Sequence, residues 1–353
     1  MKRLVILLVM SLMVTGCGGS GSKAPDPSPT PPAPATQPPP PTPAVVEPVQ
    51  QRPSKEPADP PLTGGPVYLL PTAEKPLWPS PVTVVVENSP QARPQAGLAE
   101  ADMVVEALAE SEITRFLAFY WTTPAEKIGP VRSARTGPVT VARAYKAPLA
   151  HAGGNTDALE MTQFQDWSLD EIYGGWQSFY RSDARQPPHN LYTSTQLLDK
   201  GVTGRKLELK AAPTTGRAPS LPAPGTAATQ AVVTWHKYHQ VTWEWRSTEY
   251  LRFEDGEPHQ LESGRQIAAV NLVFLNLTGV NNGPDLGWTL HLNKGGRATV
   301  LSAGYRWEGT WTLADGGFQL TPADSKVPLL APGPTWVHLI TQESDFQVTG
   351  KNE

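Results

Sequence analysis

The stretch K-I-G-P-V-R-S-A-R, Lys127 to Arg135, decides how the first half of this chain folds. It lies between a very apolar run, Ile113 to Trp121, and a helix-compatible run, Ala134 to Lys146. Gly129-Pro130 is a turn signal that separates the two. Ser133 is placed to cap a helix over Ala134 to Lys146, but Pro138 suits the first turn of a helix beginning near Thr136 or Gly137. On either choice Arg132 and Arg135 fall close to a helix N-terminus, whose free N–H groups favour anions. Two guanidinium groups there would match a carboxylate or phosphate in bidentate fashion. The competing expectation is that both arginines pair with acids such as Glu106, Glu110 or Glu126 and tie the neighbouring elements together.

Toward the N-terminus, Asp102 to Glu110 and Ile113 to Trp121 are separated by Ser111-Glu112, which predicts an antiparallel hairpin. Its imperfect alternation suggests cover on both faces. With Glu110 opposite Ile113, Leu108 faces Arg115, and Glu106 lies diagonal to Arg115 on one face, within reach of an ion pair. Val82 to Glu87 is a β-branched run bounded by Pro81 and Asn88-Ser89-Pro90, and reads as a buried strand. Gln91 to Ala101, with Arg93-Pro94 and Gly97, reads as a loop or short helical turn.

Toward the C-terminus, Ala147 to His151 is a short apolar strand. Ala152-Gly153-Gly154-Asn155 breaks it before a helix expected over Thr156 to Phe164. A strand ending in small residues that feed a helix is a common place for a site in α/β domains. As a phosphate motif it lacks a Walker lysine and a third spaced glycine. His151 is either a packed, hydrogen-bonded histidine or a ligand. Trp167, Tyr173, Trp176, Phe179 and Tyr180 crowd a glycine-interrupted segment, followed by Arg181, Arg185 and Pro187 to Tyr192. Such aromatics beside arginines can stack on sugar rings, clasp a peptide or cover a second small core. Thr193 is a suitable N-cap for a helix over Ser194 to Lys200.

Residues 66–210 thus read as a mixed α/β domain. A Pro/Gly/Ala/Thr linker over 211–228 separates it from a β-rich domain over 229–350. There the strand-like runs are Val232–Trp235, Gln240–Trp245, Tyr250–Phe253, Val270–Leu277, Trp288–Leu292, Ala298–Ser302, Tyr305–Trp311 and Trp336–Ile340, punctuated by turn residues. His236 and His239 fall on opposite faces of a strand and make a poor metal pair. Trp307 and Trp311 share a face, for a core or for a glycan.

The N-terminus supplies an address. Lys2-Arg3 begin residues 1–17, Leu4 to Met13 is apolar but short for a span, and Val14-Thr15-Gly16-Cys17 forms a lipobox. Cys17 is the only cysteine in the sequence. A diacylglycerol thioether there carries two acyl chains, enough for stable anchoring. The rest of the chain has no thiol for catalysis or for zinc, which suits an oxidising exterior. Residues 18–65 are Pro-rich with few aliphatic side chains and read as a disordered stalk. At roughly 3.1 Å per residue, about forty residues extend on the order of 100 Å. With 29 basic and 33 acidic residues and a net charge of −4, the chain has no nucleic-acid footprint. No Walker loop, G-x-S-x-G elbow, S-x-x-K set or H-E-x-x-H helix is present, so neither cofactor nor metal is expected and no catalytic residue is assigned.

The runs A-R-P-Q-A-G-L-A-E-A-D (Ala92 to Asp102), I-T-R-F (Ile113 to Phe116), K-I-G-P-V-R-S-A-R, H-A-G-G (His151 to Gly154) and P-H-N-L-Y-T-S (Pro188 to Ser194) resemble the YerB-like lipoproteins. So do Y-L-R-F-E-D-G-E-P-H (Tyr250 to His259), Y-R-W-E-G-T-W (Tyr305 to Trp311) and P-G-P-T-W-V (Pro332 to Val337). The resemblance implies an N-terminal mixed domain and a C-terminal β-rich one on an exported, membrane-anchored protein. It implies no activity, because the family carries a domain of unknown function. Glu87-Asn88 departs from the family's usual Asp-Asn, and the stalk and Ala211 to Thr229 look particular to this chain.

Arg93, Glu106, Arg115, Arg132, Ser133, Arg135, His151, His189 and Asn190 are the polar positions of those motifs, and Asn155 joins them as a candidate from its loop. The expected role is binding or scaffolding of a cell-wall polymer or envelope protein, outside the cytoplasm and held to the membrane by its lipid. The alternative is an envelope-polymer-modifying enzyme with His151 or His189 as acid/base and arginines holding an anionic substrate.

Overall fold

In the computed structural model, residues 67–69, 77–78, 81–162, 167–207, 225–235, 239–323 and 330–350 are described. The expected signal segment with Cys17, the stalk, most of the linker and His236 lie outside them. The apolar runs become strands: β1 (Val82–Glu87), β2 (Met103–Glu110) and β3 (Ile113–Tyr120). Every residue of β1 is buried, the burial that a continuous β-branched run produces when both faces of a sheet are covered.

The hairpin forms as expected, with Glu110 opposite Ile113, but the register beyond it differs. A β-bulge at Ala109 leaves Leu108 opposite Thr114 and Ala107 opposite Arg115. One extra residue reverses the facing of everything beyond it, so Glu106 and Arg115 point to opposite sides of the sheet.

Helix α1 (Thr136–Ala144) starts after the arginines, with Pro138 in its first turn and Arg135 at the N-cap position. Ser133 does not cap it. The Ala134 N–H donates to Gly153 O at 2.8 Å, and Ala134 bridges Gly154 in strand fashion, so the backbone there is extended. Then follow β4 (Leu149–His151), α2 (Thr156–Thr162), β5 (Ser168–Asp170) and α3 (Thr195–Gly204). The cap of α3 is Ser194, whose Oγ accepts from Leu197 N at 3.2 Å. Thr193 instead bonds Ile128 through its backbone and Ser178 O through its hydroxyl.

The C-terminal half supplies β6 (Gln230–Trp235), β7 (His239–Arg246), β8 (Glu249–Glu254), β9 (Asn271–Asn276), β10 (Gly296–Ser302), β11 (Tyr305–Ala314), β12 (Gly317–Pro322), β13 (Thr335–Ile340) and β14 (Asp345–Thr349). The fold is therefore a mixed α/β N-terminal part followed by a β-rich C-terminal part. Its larger sheet has 12 strands and runs Val67–Tyr68, β12, β11, β10, β9, β13, β2, β3, β1, β4, β5, with Thr226–Ala227 beside β11. β13 pairs in parallel with β9 on one side and with β2 on the other, so a C-terminal strand sits directly against the N-terminal hairpin. A 6-stranded sheet, running Glu257–Pro258, β8, β7, β6, β14 with Ala268–Ala269 beside β8, packs against this junction. Trp243 of β7 meets Trp336 of β13 edge-on, ring centres 5.2 Å apart, and Phe116 of β3 meets Trp336 at the same spacing. Among the described residues no helix is long and apolar enough to cross a membrane.

Candidate functional site

Three parallel strands end at one edge of the large sheet with polar residues: Glu87 on β1, His151 on β4 and Asp170 on β5. Antiparallel β3 brings Arg115 opposite Glu87, and β2 contributes Glu110 at its end. Outside the carboxyl ends of parallel strands is where α/β sheets place ligands. Seven of the ten candidate residues from the sequence gather here, with Arg132, Ser133 and Arg135 on the turn before α1, Asn155 on the loop after β4, Arg115 and His151 in the sheet, and His189 against Glu87.

The arginines divide by role. Arg115 places Nη2 2.7 and 3.0 Å from the two oxygens of Glu110, and its Nη1 donates to Ser133 O at 2.6 Å. Arg135 bonds the same carboxylate and gives Nη1 to Ala134 O. Both are buried and tie the hairpin to the start of α1. Burial, and then the neighbouring Arg135 charge, lowers the Arg115 pKa to about 10. Burial also lowers that of Arg135, against the attraction of Glu110.

Arg132 is different. Its side chain is 27% exposed, and its ionic partner is Glu87 Oε1 at 3.4 Å, longer than a close guanidinium–carboxylate bond. Glu87 also accepts Ser89 Oγ and sits 2.9 Å from His189 Nδ1, so Arg132 and His189 flank one nearly buried carboxylate.

His151 is fully buried. Its Nδ1 lies 2.9 Å from Gly153 O and 3.7 Å from Asp170 Oδ2. A carbonyl can only accept, so Nδ1 carries the proton and Nε2 a lone pair. Nε2 and Asp170 Oδ2 have no hydrogen-bond partner. Burial lowers the His151 pKa against the Asp170 charge, which keeps the ring neutral. Asp170 Oδ1 accepts the N–H groups of Gly153 and Ile172.

Asn155 is a structural cap: Oδ1 accepts from Ala158 N, and Nδ2 donates to Leu286 O. Asn190 holds Arg181, whose other end pairs with Glu171 at 3.0 Å. Ser133, half-buried, hydrogen-bonds neither His151 nor His189 through its side chain.

Arg93 and Glu106 belong to a second cluster, between the two sheets. Glu106 pairs with Arg252 of β8 through bonds of 2.8 and 3.0 Å, not with Arg115. Arg252 also donates to Glu254 at 2.9 Å, and both Glu106 and Arg252 are fully buried. Arg93, Asn88 and His239 reach the other oxygen of Glu254, and His259 lies against Arg252, Glu254 and Gln95. His338 places Nδ1 3.0 Å from Glu106 and accepts the Trp243 indole N–H at Nε2, which assigns it a neutral Nδ1–H ring.

Burial alone would raise Glu106, but the Arg252 charge and the His338 contact outweigh it and hold the carboxyl at about 2. The cluster reaches solvent at a cleft of about 420 Å³ walled by Arg93, Glu254, Asp255 and His259. With its carboxylates answered internally, it clamps the sheets rather than offering free valences.

Arg252, Glu254, His259, His338 and Asp170 were not singled out from the sequence. For Arg252 and Glu254 the signal lay in β8, where Tyr250, Arg252 and Glu254 alternate with Leu251 and Phe253. The structure buries the polar face and leaves Leu251 and Phe253 half-buried. Among the described residues no group of three or more His, Cys, Asp or Glu is placed to hold a metal.

Residues 69–208 match the family described as "Protein of unknown function (DUF3048) N-terminal domain", and residues 230–337 match its C-terminal domain. The Bacillus subtilis (strain 168) protein "Putative lipoprotein YerB" is 31% identical over 291 residues, 79% of this chain and 85% of that protein. The crystal structure of YerB from Bacillus subtilis superposes with a TM-score of 0.68 at 28% identity, covering 80% of this chain and 99% of that one. The motifs, the two-part order and the shared fold agree, and the chain belongs to the DUF3048 family.

Proposed function

We propose that this is a lipid-anchored envelope protein whose carboxyl-edge site binds an anionic cell-wall component without chemistry. The lipobox at Cys17 and the name of the Bacillus relative support the anchor and a place outside the cytoplasm. The observation that carries the binding reading is the division of labour among the arginines. Arg115 and Arg135 are committed to Glu110, while Arg132 keeps a part-exposed side chain, its Nε without a hydrogen-bond partner and its one ionic contact the long one to Glu87, which His189 also meets. An anionic ligand would meet a cation already held in place, so little side-chain entropy is lost on binding.

Co-sedimentation with purified cell wall and with its anionic polymers tests this. Arg132→Ala is expected to lower recovery several-fold while the thermal melt stays unchanged, and added salt should weaken wild-type binding. Equal recovery of wild type and Arg132→Ala would overturn it. The enzymatic alternative has one observation in its favour, the unpartnered lone pair of His151 Nε2. Incubating the protein with wall polymer, with and without divalent metals, and finding no new product would leave binding as the function.

A further inference from the structure

The segment following β5 exposes more apolar surface than any other short stretch among the described residues. Ile172 is 60%, Tyr173 53%, Trp176 62% and Tyr180 40% exposed. Trp176 is the one exposed tryptophan among the described residues, although tryptophans elsewhere fill the core. Isolated exposed apolar residues need no explanation, but several within nine positions mark an interaction surface.

This ledge is built rather than loose. Asp170 Oδ1 takes the Ile172 N–H at 3.0 Å, and Gly175 packs so closely that a Cβ there would lie 2.6 Å from Asp170 O. Ile172 in turn covers Gly153, where an added Cβ would meet its Cδ1 at 2.8 Å. Glu171 and Arg181 pair at 3.0 Å beside it, and Tyr180 stacks on Tyr192 with ring centres 6.0 Å apart. Flat rings with a rim of carboxylate, guanidinium and amide groups suit a ligand with apolar ring faces and polar hydroxyl edges. Amphipathic aromatic rings offer contact area at little conformational cost.

The rim discriminates between occupants, because the Glu171–Arg181 ion pair beside the rings can meet sugar hydroxyls but would be costly to bury against acyl chains.

We propose that this ledge is a platform for a polysaccharide strand, with sugar rings stacked on Tyr173 and Trp176 and hydroxyls meeting Glu171 and Arg181. This rests on the envelope-binding reading above and names a ligand class for its apolar side, beside the anionic contact at Arg132. The test is calorimetric titration of the full chain in detergent with a β-1,4-linked N-acetylglucosamine tetramer, alongside co-sedimentation with purified wall. Trp176→Ala and Tyr173→Ala, both at exposed positions, are expected to keep the melt and each to weaken tetramer affinity about tenfold or more. Arg132→Ala is expected to keep tetramer affinity.

Wall binding that falls with Arg132→Ala but not with Trp176→Ala would overturn the platform and leave the anionic site standing. Failure of wild type to bind the tetramer at millimolar concentration would also overturn it. So would quenching by brominated lipid, in vesicles carrying the anchored protein, that Trp176→Phe abolishes, since the ledge would then face a bilayer.

Discussion

Arg252→Ala probes the clamp between the two sheets. The guanidinium holds Glu106 through two bonds and Glu254 through another, 0% exposed, with its Cζ 5.0 to 5.5 Å from the ring centres of Trp336, Phe116 and Trp243. Deleting it leaves two carboxylates in a low-dielectric interior. Breaking one partner out of a buried pair costs about 3–5 kcal/mol.

The depressed Glu106 carboxyl sets a second scale. Glu106 lies at about 2 rather than 4.5, and at about 1.4 kcal/mol per unit the ionised form contributes about 3 kcal/mol. A depressed carboxyl contributes stability that is present above its unfolded value and lost as pH falls from about 4.5 toward 2. His338, lowered chiefly by burial, adds loss in the same direction below its ordinary value, because its neutral ring is the folded form.

Urea unfolding of the full chain in detergent, at several pH values, is the assay. Wild type is expected to lose stability on acidification. Without Arg252 the Glu106 carboxyl no longer favours ionisation, so the variant should be about 3–5 kcal/mol weaker at pH 7 and the gap should narrow toward pH 3. A gap below about 1 kcal/mol, the scale of exposed pairs, or one that does not change with pH would refute this account. The double variant Glu106→Leu with Arg252→Met should recover much of the loss, since a buried pair replaced by packed apolar groups is often neutral.

Five further substitutions test the local structure. Gly97 has φ +84, and a Cβ there would lie 2.5 Å from Lys127 O, so Gly97→Ala should cost about 2 kcal/mol or more and disturb the Lys127 turn. Gly256, with φ +88 and open space around it, should lose only about 1 kcal/mol on the same change, both read from urea midpoints. Glu110→Gln leaves Arg115 and Arg135 without their shared carboxylate and should cost about 1–3 kcal/mol in thermal melts, whereas Arg132-dependent wall binding should persist. Ser194→Ala removes the cap of α3, an expected loss of about 1 kcal/mol by the same melts, while Thr193→Ala would remove a buried bond to Ser178 instead.

The strands were legible because their apolar runs are short, β-branched and separated by glycine, asparagine or proline. The hairpin of β2 and β3 was visible down to the Glu110–Ile113 pair. Its register was not, because nothing in A-L-A-E marks Ala109 as the bulged residue, and that residue sends Glu106 to a different partner from the expected Arg115. The start of α1 failed similarly: Ser133 has the chemistry of a cap, but the competing pairing with Gly153 and Gly154 comes from the loop after β4.

The clamp was hidden for a deeper reason. Arg252 and Glu106 are 146 positions apart, and β8 buries its polar face while half-exposing Leu251 and Phe253, the inverse of the usual alternation. Arg132, by contrast, was visible as a candidate, and only the geometry separates it from Arg115 and Arg135.

The two family matches, 69–208 and 230–337, meet in one sheet rather than at a surface between two. β13 follows β9 in the sheet yet bonds β2 along Met103 to Glu106, so the two matched segments share one sheet. Cutting the chain in the linker would strip β2 of its parallel neighbour and expose a long, buried, apolar edge. It would also leave Glu106 with neither Arg252 nor His338. Residues 67–207 expressed alone are therefore expected to aggregate, and the full chain to unfold in one transition for both parts, followed by near-ultraviolet dichroism and by urea-dependent fluorescence. A soluble fragment with dispersed amide resonances would show that the edge can be covered from within the N-terminal part, and the parallel pairing of β13 with β2 would then be a contact between finished domains rather than a condition for folding either.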